Sequence, residues 1–438
     1  MNALITAPSL WALLPLVLYI IFLFTEKADV VLVTGFCVVL GFGLLGKTPA
    51  EAGKALTVAL GGNMGIIALI IMLGAGLGRV MSNSGIAQAV VFYICRIVGI
   101  NTKGRALVSI TICSVLICGL LGTLAGGIAI LAPIVIPIAA TVGLAPATVG
   151  AIMLIAGSTG LIWGPFTPPT VATLACTGLT YSQLMLWAAL PFGVVGLALA
   201  FLCAHIIQKR KEGIEVYEGD YGTLPTEVDA LTKRKLIAFL VAFLALVVYA
   251  IVTHQGINYS ILVMLILPLV ITAFGDRNFD KMIKDFTAGM GTQAKMFLLF
   301  ILLGTMLNLI TEGGGFDALG EVLSGVLNAG GRLGVMFGAT VLGAFGISGG
   351  AAAEIYLLTE MFENSIQVTN LPMEMWALVL IAASRITSNL FPSANMLGVL
   401  GLARTSDTKS AMFMGWVTSI GNLIFMIIFA LICDKMIF

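Results

Sequence analysis

Long apolar runs with almost no charge recur along the chain at 9–24, 29–46, 61–78, 106–144, 147–163, 184–207, 236–253, 257–275, 333–353 and 411–433. Several are long enough for a membrane-spanning helix, which needs about 20 predominantly apolar residues. The runs are continuous, whereas strands of a membrane barrel alternate apolar and polar residues, so the pattern predicts helices and excludes a barrel. The expected fold is all-α and polytopic, with about ten to twelve crossings plus re-entrant pieces.

One polar stretch divides the runs into two sets. Residues 208–235 (QKRKEGIEVYEGDYGTLPTEVDALTKRK) carry Lys/Arg triplets at 209–211 and 233–235. Short loops rich in Lys and Arg stay on the cytoplasmic side. The chain therefore reads as a first membrane repeat (1–207), a cytoplasmic linker (208–235) and a second membrane repeat (236–438). The linker has no apolar periodicity of its own and is expected to be a solvated tether.

The two sets repeat one another. Residues 54–89 lie over 284–319 at a constant offset, matching Lys54 with Lys284, Thr57 with Thr287, Gly61 with Gly291, Gly74 with Gly304 and Gly85 with Gly315. Further on, 146–169 lies over 372–394, matching Pro146 with Pro372, Leu154-Ile155-Ala156 with Leu380-Ile381-Ala382, and Ser158 with Ser384. Both second matches run from an apolar helix into a break, Gly164-Pro165-Phe166-Thr167-Pro168-Pro169 in one half and Thr387-Ser388-Asn389-Leu390-Phe391-Pro392-Ser393-Ala394-Asn395 in the other. Proline removes amide donors and clashes with preceding carbonyls, so neither stretch continues a helix. Unpaired carbonyls at membrane depth persist only where protein, water, ion or substrate satisfies them. Duplicated apolar halves with broken segments at matching places are the sequence sign of a secondary transporter.

Each half has a second, glycine-rich break upstream, Gly122-Thr123-Leu124-Ala125-Gly126-Gly127 and Gly346-Ile347-Ser348-Gly349-Gly350. Glycine suits either a hairpin tip or tight helix packing. The four breaks are expected to converge near the membrane centre and form the binding site. Its expected substrate-binding residues are Gly126, Gly127, Ser158, Thr159, Thr167, Ser348, Gly349, Gly350, Arg385, Ser388, Asn389, Ser393 and Asn395. Arg385 would meet a substrate carboxylate, whose geometry its fork matches. Glu354, Asn389 and Thr159 are the expected ligands of a coupling H⁺ or Na⁺. A mutual salt bridge between Arg385 and Glu354 is the competing expectation. Arg79 and Glu312 are expected at the interface, and Asn63 and its counterpart Gln293 as helix-bridging amides.

Composition supports the membrane assignment and narrows the chemistry. With 59% hydrophobic and 10% charged residues, a chain of 438 residues cannot cover a soluble globule. The N-terminal segment, with no basic start and no small-x-small cleavage site, is expected to be a retained first helix. Seven cysteines without a CxxC pair suggest neither disulfides nor a metal, and His205 and His254 have no partner at ligand spacing. A net charge of +1 argues against nucleic acid. Gly41 to Thr48 (GFGLLGKT) satisfies the phosphate-loop pattern, but an apolar helix precedes it and Pro49 follows, so Lys47 is expected to mark a helix end with Gly46 as its cap. No cofactor is expected, and paired carboxylates or a Ser-His-Asp set are missing from the apolar segments, which argues against an enzyme.

The order of elements resembles the ion transporter superfamily, which includes gluconate-type and citrate-type symporters, sodium/proton antiporters of the NhaC type and the large membrane subunits of tripartite transporters. The resemblance is carried by LGAGLGRVMSNSGIAQAV (73–90), GTLAGGIAILAPIVIPIA (122–139), APATVGAIMLIAGSTGLIWGPFTPP (145–169) and SNLFPSANMLGVLGLA (388–403). First-half segments look most like the gluconate and related organic-anion carriers. The resemblance implies inverted repeats, each with a re-entrant hairpin and an unwound helix, and elevator-like movement of a substrate-bearing part against a scaffold. The expected function is cation-coupled transport of a small organic anion, a carboxylate or sugar acid, across the inner membrane. Sodium/proton antiport, a receptor-dependent transporter subunit and a channel are the rival readings. The expected partners are the lipid bilayer, the organic anion and a second copy of the chain in a homodimer.

Overall fold

The computed structural model describes residues 4–5, 9–25, 29–218, 227–346 and 351–436. Among the described residues there is no strand. The first half comprises α1 (Leu14–Thr25), α2 (Val30–Leu44), α3 (Pro49–Gly61), α4 (Asn63–Asn83), α5 (Ile86–Val98), α6 (Lys103–Leu121), α7 (Leu124–Thr141), α8 (Pro146–Trp163), α9 (Pro168–Thr177), α10 (Tyr181–Leu184) and α11 (Leu190–Lys211). The second comprises α12 (Ala230–Val252), α13 (Tyr259–Ala273), α14 (Phe279–Gly291), α15 (Ala294–Glu312), α16 (Gly315–Gly346), α17 (Ala351–Val368), α18 (Met373–Leu390), α19 (Ala394–Leu402) and α20 (Thr408–Met436). Among the described residues eight helices are long and apolar enough to cross a membrane, or nine if the bent pair α18–α19 counts as one span. The fold is an all-α polytopic membrane protein.

Local chemistry sets the helix ends. Thr48 caps α3 reciprocally with Glu51, the hydroxyl accepting from the Glu51 amide and the carboxylate accepting from the Thr48 amide. The phosphate-loop look-alike is thus a helix–helix turn: Gly46, at φ 64°, follows the end of α2, and Lys47 pairs with Glu312 at the end of α15. Arg79 is exposed and Glu312 lies in this surface pair. Gly331 breaks α16 at φ 55°, ψ −149°, so that 315–330 and 332–346 are two helical pieces, as α5 and α6 are two helices in the first half.

Packing between the halves is reciprocal. α14 packs on α4 while α3 packs on α15; α13 packs on α4 while α2 packs on α15. α9 packs on α17 and α18, and α19 packs on α7 and α8. α11 packs on α8, α20 on α18, and α11 and α20 pack on each other. Each of these contacts therefore has a mirror with the halves exchanged, the pattern that a two-fold axis generates. Two packed groups result, α1–α4 with α12–α15 and α6–α11 with α16–α20.

The linker is not a free tether throughout. Its Lys209, Arg210 and Lys211 form the last turn of α11, and Lys211 pairs with both Glu215 and Asp407. Tyr217 is buried against the first-half core, and Thr405 donates to Glu215 at 3.3 Å. At the same end of the bundle Lys103 pairs with Glu212, Gln208 bonds both Gly143 and Ala145, and Lys235 donates to the Ser84 carbonyl at 2.7 Å. The start of α6 and the end of α7 thus lie beside the linker. The start of the second piece of α16 and the end of α17 meet separately, where Arg332 donates to the Thr369 carbonyl.

Candidate functional site

A cavity of about 550 Å³ lies on the seam between the two packed groups, within the size range of small-molecule sites. Ile70, Ile71, Gly74 and Ala75 of α4 with Gln293, Met296 and Phe300 beside and within α15 line one wall. The other wall is made where helices stop or start. Thr123 and Leu124 open α7, Pro168 and Pro169 open α9, Ala351 and Ala352 open α17, and Ser393, Ala394 and Asn395 open α19. Four helix N-termini therefore face one space. Each N-terminus brings the positive end of a helix dipole, and all but that of α9, whose first two residues are prolines without an N–H, bring first-turn amides as well; together these favour an anion. Thr123 makes no side-chain cap to α7, leaving that first turn open, whereas the Ser393 hydroxyl accepts from the Met396 amide at 3.2 Å.

The breaks are held by side chains. Thr167, fully buried, donates to carbonyls released at the end of α8, including Gly164 at 3.0 Å, and contacts Thr170 at 3.0 Å. The Tyr181 hydroxyl takes the Trp163 carbonyl, and Trp416 Nε1 takes the Leu390 carbonyl at 3.0 Å. In both halves a donor from the following span thus satisfies a carbonyl at the end of the broken helix, the requirement that membrane depth imposes. Bare glycines set the spacing: a Cβ on Gly160 would lie 2.2 Å from the Val115 carbonyl oxygen, and one on Gly415 would lie 2.1 Å from that of Asn389.

Arg385 is the one cation among the described lining residues; it is 6% exposed, and its Nε has no hydrogen-bond partner among the described residues. An unpaired buried guanidinium nitrogen costs several kcal/mol, on the order of 2–7 by analogy with neutral polar groups, so this arrangement is one in which an incoming carboxylate repays the penalty. Glu354, 2% exposed, faces the same cavity. It has interactions of its own, and its charge acts on the guanidinium of Arg385. Ser158 presents an unpartnered buried Oγ to the cavity, and Ser388 lines it while donating to the Ser384 carbonyl at 3.0 Å.

Of the residues expected from sequence, the cavity wall includes Ser158, Glu354, Arg385, Ser388, Ser393 and Asn395. Gly126 and Gly127 lie within the first turn of α7 and outside the wall; a Cβ on Gly127 would sit 2.7 Å from Cys118 Sγ, so its bareness serves the packing of α6 on α7. Thr159 turns its hydroxyl back to the Ile155 carbonyl at 2.9 Å, and Thr167 ties the break. Asn389 is buried away from the wall, against Gly415. Ser348, Gly349 and Gly350 lie outside the described residues. Gln293, expected as a bridging amide, lines the cavity, while Asn63 does not. Met296 and Phe300 of α15 join the wall without a sequence signal, since nothing in an apolar helix marks which of its faces meets a cavity.

Three likenesses to known proteins accord with this geometry. The GntP family permease pattern matches residues 8–218, a little under half of the chain. The inner membrane permease YgbN of Escherichia coli strain K12 is 30% identical over 178 residues, 39% of this chain, and the match spans only 37% of that permease. The crystal structure of the YdaH transporter of Alcanivorax borkumensis, described as having an unusual topology, superposes with a TM-score of 0.67 at 15% identity, covering 88% of this chain and 90% of the other. At that identity the third likeness speaks to the fold alone. All three are transport proteins and not enzymes. The sequence likenesses narrow to the gluconate-permease type, which the family pattern matches over residues 8–218; they do not extend to the wider superfamily.

Proposed function

We propose that this protein is a secondary active transporter of a small organic anion, driven by H⁺ or Na⁺ and working across the inner membrane by alternating access. The single observation that carries the proposal is the cavity in which a buried Arg385, its Nε without a hydrogen-bond partner among the described residues, meets four helix N-termini. A carboxylate entering there gains charge-assisted hydrogen bonds from the guanidinium and the amides, both already positioned. The gluconate-permease likeness supports a sugar acid or related carboxylate as the anion.

The two packed groups support an elevator movement. The helices α4 and α15 form one wall of the cavity and the breaks form the other, so sliding the groups past each other carries the site between the two sides. The reciprocal packing supports inverted repeats. The hairpin α6–α7 has its open end beside the Lys/Arg-rich linker, on the cytoplasmic side by the positive-inside rule. The open end of the hairpin made by 332–346 and α17, where Arg332 meets Thr369, is on the opposite side in this reading.

Reconstitution in liposomes with an imposed Na⁺ or proton gradient and labelled carboxylates, including sugar acids, tests this directly. The expected result is uphill uptake in the wild type that is lost in Arg385→Ala. Proton efflux driven by Na⁺ without any organic solute would overturn the proposal in favour of antiport, and currents far above carrier turnover would overturn it in favour of a channel.

A further inference from the structure

The frame helices α4 and α15 meet the cavity at different points of their shared repeat. They run antiparallel: a Cβ on Gly304 would lie 3.1 Å from the Met64 Cβ, and Asn83 Nδ2 donates to Asp285 of α14 at 2.8 Å. Counting equally inward along the chain from either contact brings Leu69 level with Leu299, and these two are counterparts in the repeat. The axis that exchanges the halves therefore passes there. On α4 the cavity touches Ile70, Ile71, Gly74 and Ala75, all beyond Leu69. In the other half it touches Gln293 and Met296, ahead of Leu299, and Phe300 just after it. Because the helices are antiparallel, both offsets point to the same end of the bundle. At that end Lys235, which closes the Lys/Arg-rich linker, donates to the Ser84 carbonyl, so it is the cytoplasmic end by the positive-inside rule.

The cavity thus lies about three residues, roughly 4.5 Å at 1.5 Å per residue, to the cytoplasmic side of the axis. Exchanging the halves describes the same site displaced equally outward, a slide of about 9 Å. Its wall would then use the counterparts of Gln293 and Met296, which are Asn63 and Ile66 of α4, and those of Gly74 and Ala75, which are Gly304 and Thr305 of α15. We infer that Gln293 and Asn63 are alternating substrate contacts, Gln293 binding the organic anion when the site faces the cytoplasm and Asn63 when it faces outward; the inference rests on the transport reading above.

The chemistry of the wall singles out these two. Among the described residues Gln293 is the only polar side chain that the frame gives to the cavity, beside Ile70, Ile71, Met296 and Phe300. Its Nε2 donates to Thr292 Oγ1 at 3.4 Å, a long bond that a ligand oxygen readily replaces. A side-chain amide both donates and accepts, so it serves a carboxylate or the hydroxyls of a sugar acid. Arg385, Ser158 and the four helix N-termini travel with the anion and act in both states, whereas Gln293 stays with the frame and is left behind. Asn63, off the cavity wall, faces the Tyr356 hydroxyl of α17. That contact fills the level at which the outward site would form, and an outward slide of α17 frees the Asn63 amide. Asn is one methylene shorter than Gln, so the two faces grip the same anion with different reach.

The test uses the full chain in right-side-out and inside-out membrane vesicles, with the driving gradient imposed in each and labelled gluconate and other sugar acids as probes. Loss of one hydrogen bond to the substrate is expected to raise KM at least about fivefold on the side where that bond is made. Gln293→Leu should therefore raise the inner-face KM by that factor and change the outer-face KM less than about twofold, and Asn63→Leu should do the reverse. Neither side chain is buried, so folding is spared, and Gln293→Ala, which adds no apolar bulk, should repeat the first result. A substitution that merely biases one state over the other moves the two KM values in opposite directions. That outcome, equal changes at both faces, or no change at either would overturn the paired contacts and leave the transport reading standing. No uptake of any labelled sugar acid or other carboxylate by the wild type, in either kind of vesicle, would overturn the transport reading and this inference with it.

Discussion

The break after α8 and the break after α18 occupy equivalent places and do different work. The first is a closed joint: Tyr181, Thr167 and Thr170 satisfy its carbonyls, Trp163 ties its end to the Ala189 carbonyl, and prolines open the next helix. The second is more open, with Arg385 Nε, Asn389 Oδ1 and, on α20, Ser419 Oγ without hydrogen-bond partners among the described residues. A two-fold related frame needs both joints for its geometry, but one of them suffices to hold the chemistry. Divergence of side chains on a shared backbone is how a duplicated scaffold becomes a selective carrier.

The largest expected effect breaks this comparison at Arg385. Arg385→Ala is expected to reduce anion uptake about 100-fold, roughly 3 kcal/mol, because a carboxylate loses its fork and the cavity its buried charge. The first-half counterpart at the offset of the repeat is Thr159, whose hydroxyl is spent on its own helix; Thr159→Val should change uptake less than about threefold. Equal losses in radiolabel uptake for the two variants would contradict the asymmetry.

Stability should show the opposite bias. Trp163→Ala removes a ring packed on Gly193 and its bond to Ala189, and is expected to cost about 2–3 kcal/mol in denaturant or thermal unfolding. Asn389→Ala, measured the same way, should cost less than about 1 kcal/mol, since its side-chain oxygen has no hydrogen-bond partner among the described residues. A symmetric stability loss would mean that both joints are structural.

Gly160→Ala and Gly415→Ala sharpen what the halves share. Each adds a Cβ that would lie 2.2 Å or 2.1 Å from a carbonyl oxygen. Both should lower stability by about 1–3 kcal/mol, the usual cost of overpacking. A tolerated alanine at either site, in a thermal-shift assay, would show that the helices there have room to separate.

The smallest effect concerns the turn between α19 and α20. Burial acts against the charge of Asp407, but Lys211 and Ser410 outweigh it and hold the carboxyl below the usual carboxylate range. A depressed folded value contributes stability above the unfolded value near 4 and loses it as pH falls through the folded one. The wild type should therefore lose no more than about 1 kcal/mol on acidification below about pH 4 through this group. Asp407→Asn should flatten that part of the Tm-against-pH curve, and an unchanged slope would remove Asp407 from the account.

Helices, breaks and the repeat could be read from the chain because each has a local cause. Apolar length marks a span in hydrocarbon, proline and glycine forbid helix at 164–169 and at 122–123, and an offset that pairs Pro146 with Pro372 depends on order alone. Arg385, Glu354, Ser158 and Ser393 could likewise be singled out, since polar groups are costly inside apolar segments. Which of them share a cavity could not, because helical residues one position apart face directions about 100° apart, and the neighbour on each side comes from a distant part of the chain. Ser388 thus lines the cavity while Asn389 backs onto Gly415. Gln293 enters the wall because α15 packs across the seam, and Tyr217 leaves the solvent because the turn after α19 lies beneath it. Periodicity and composition are properties of order along the chain, whereas a site is a property of which faces are brought together, and here that was settled by the packing of one half against the other.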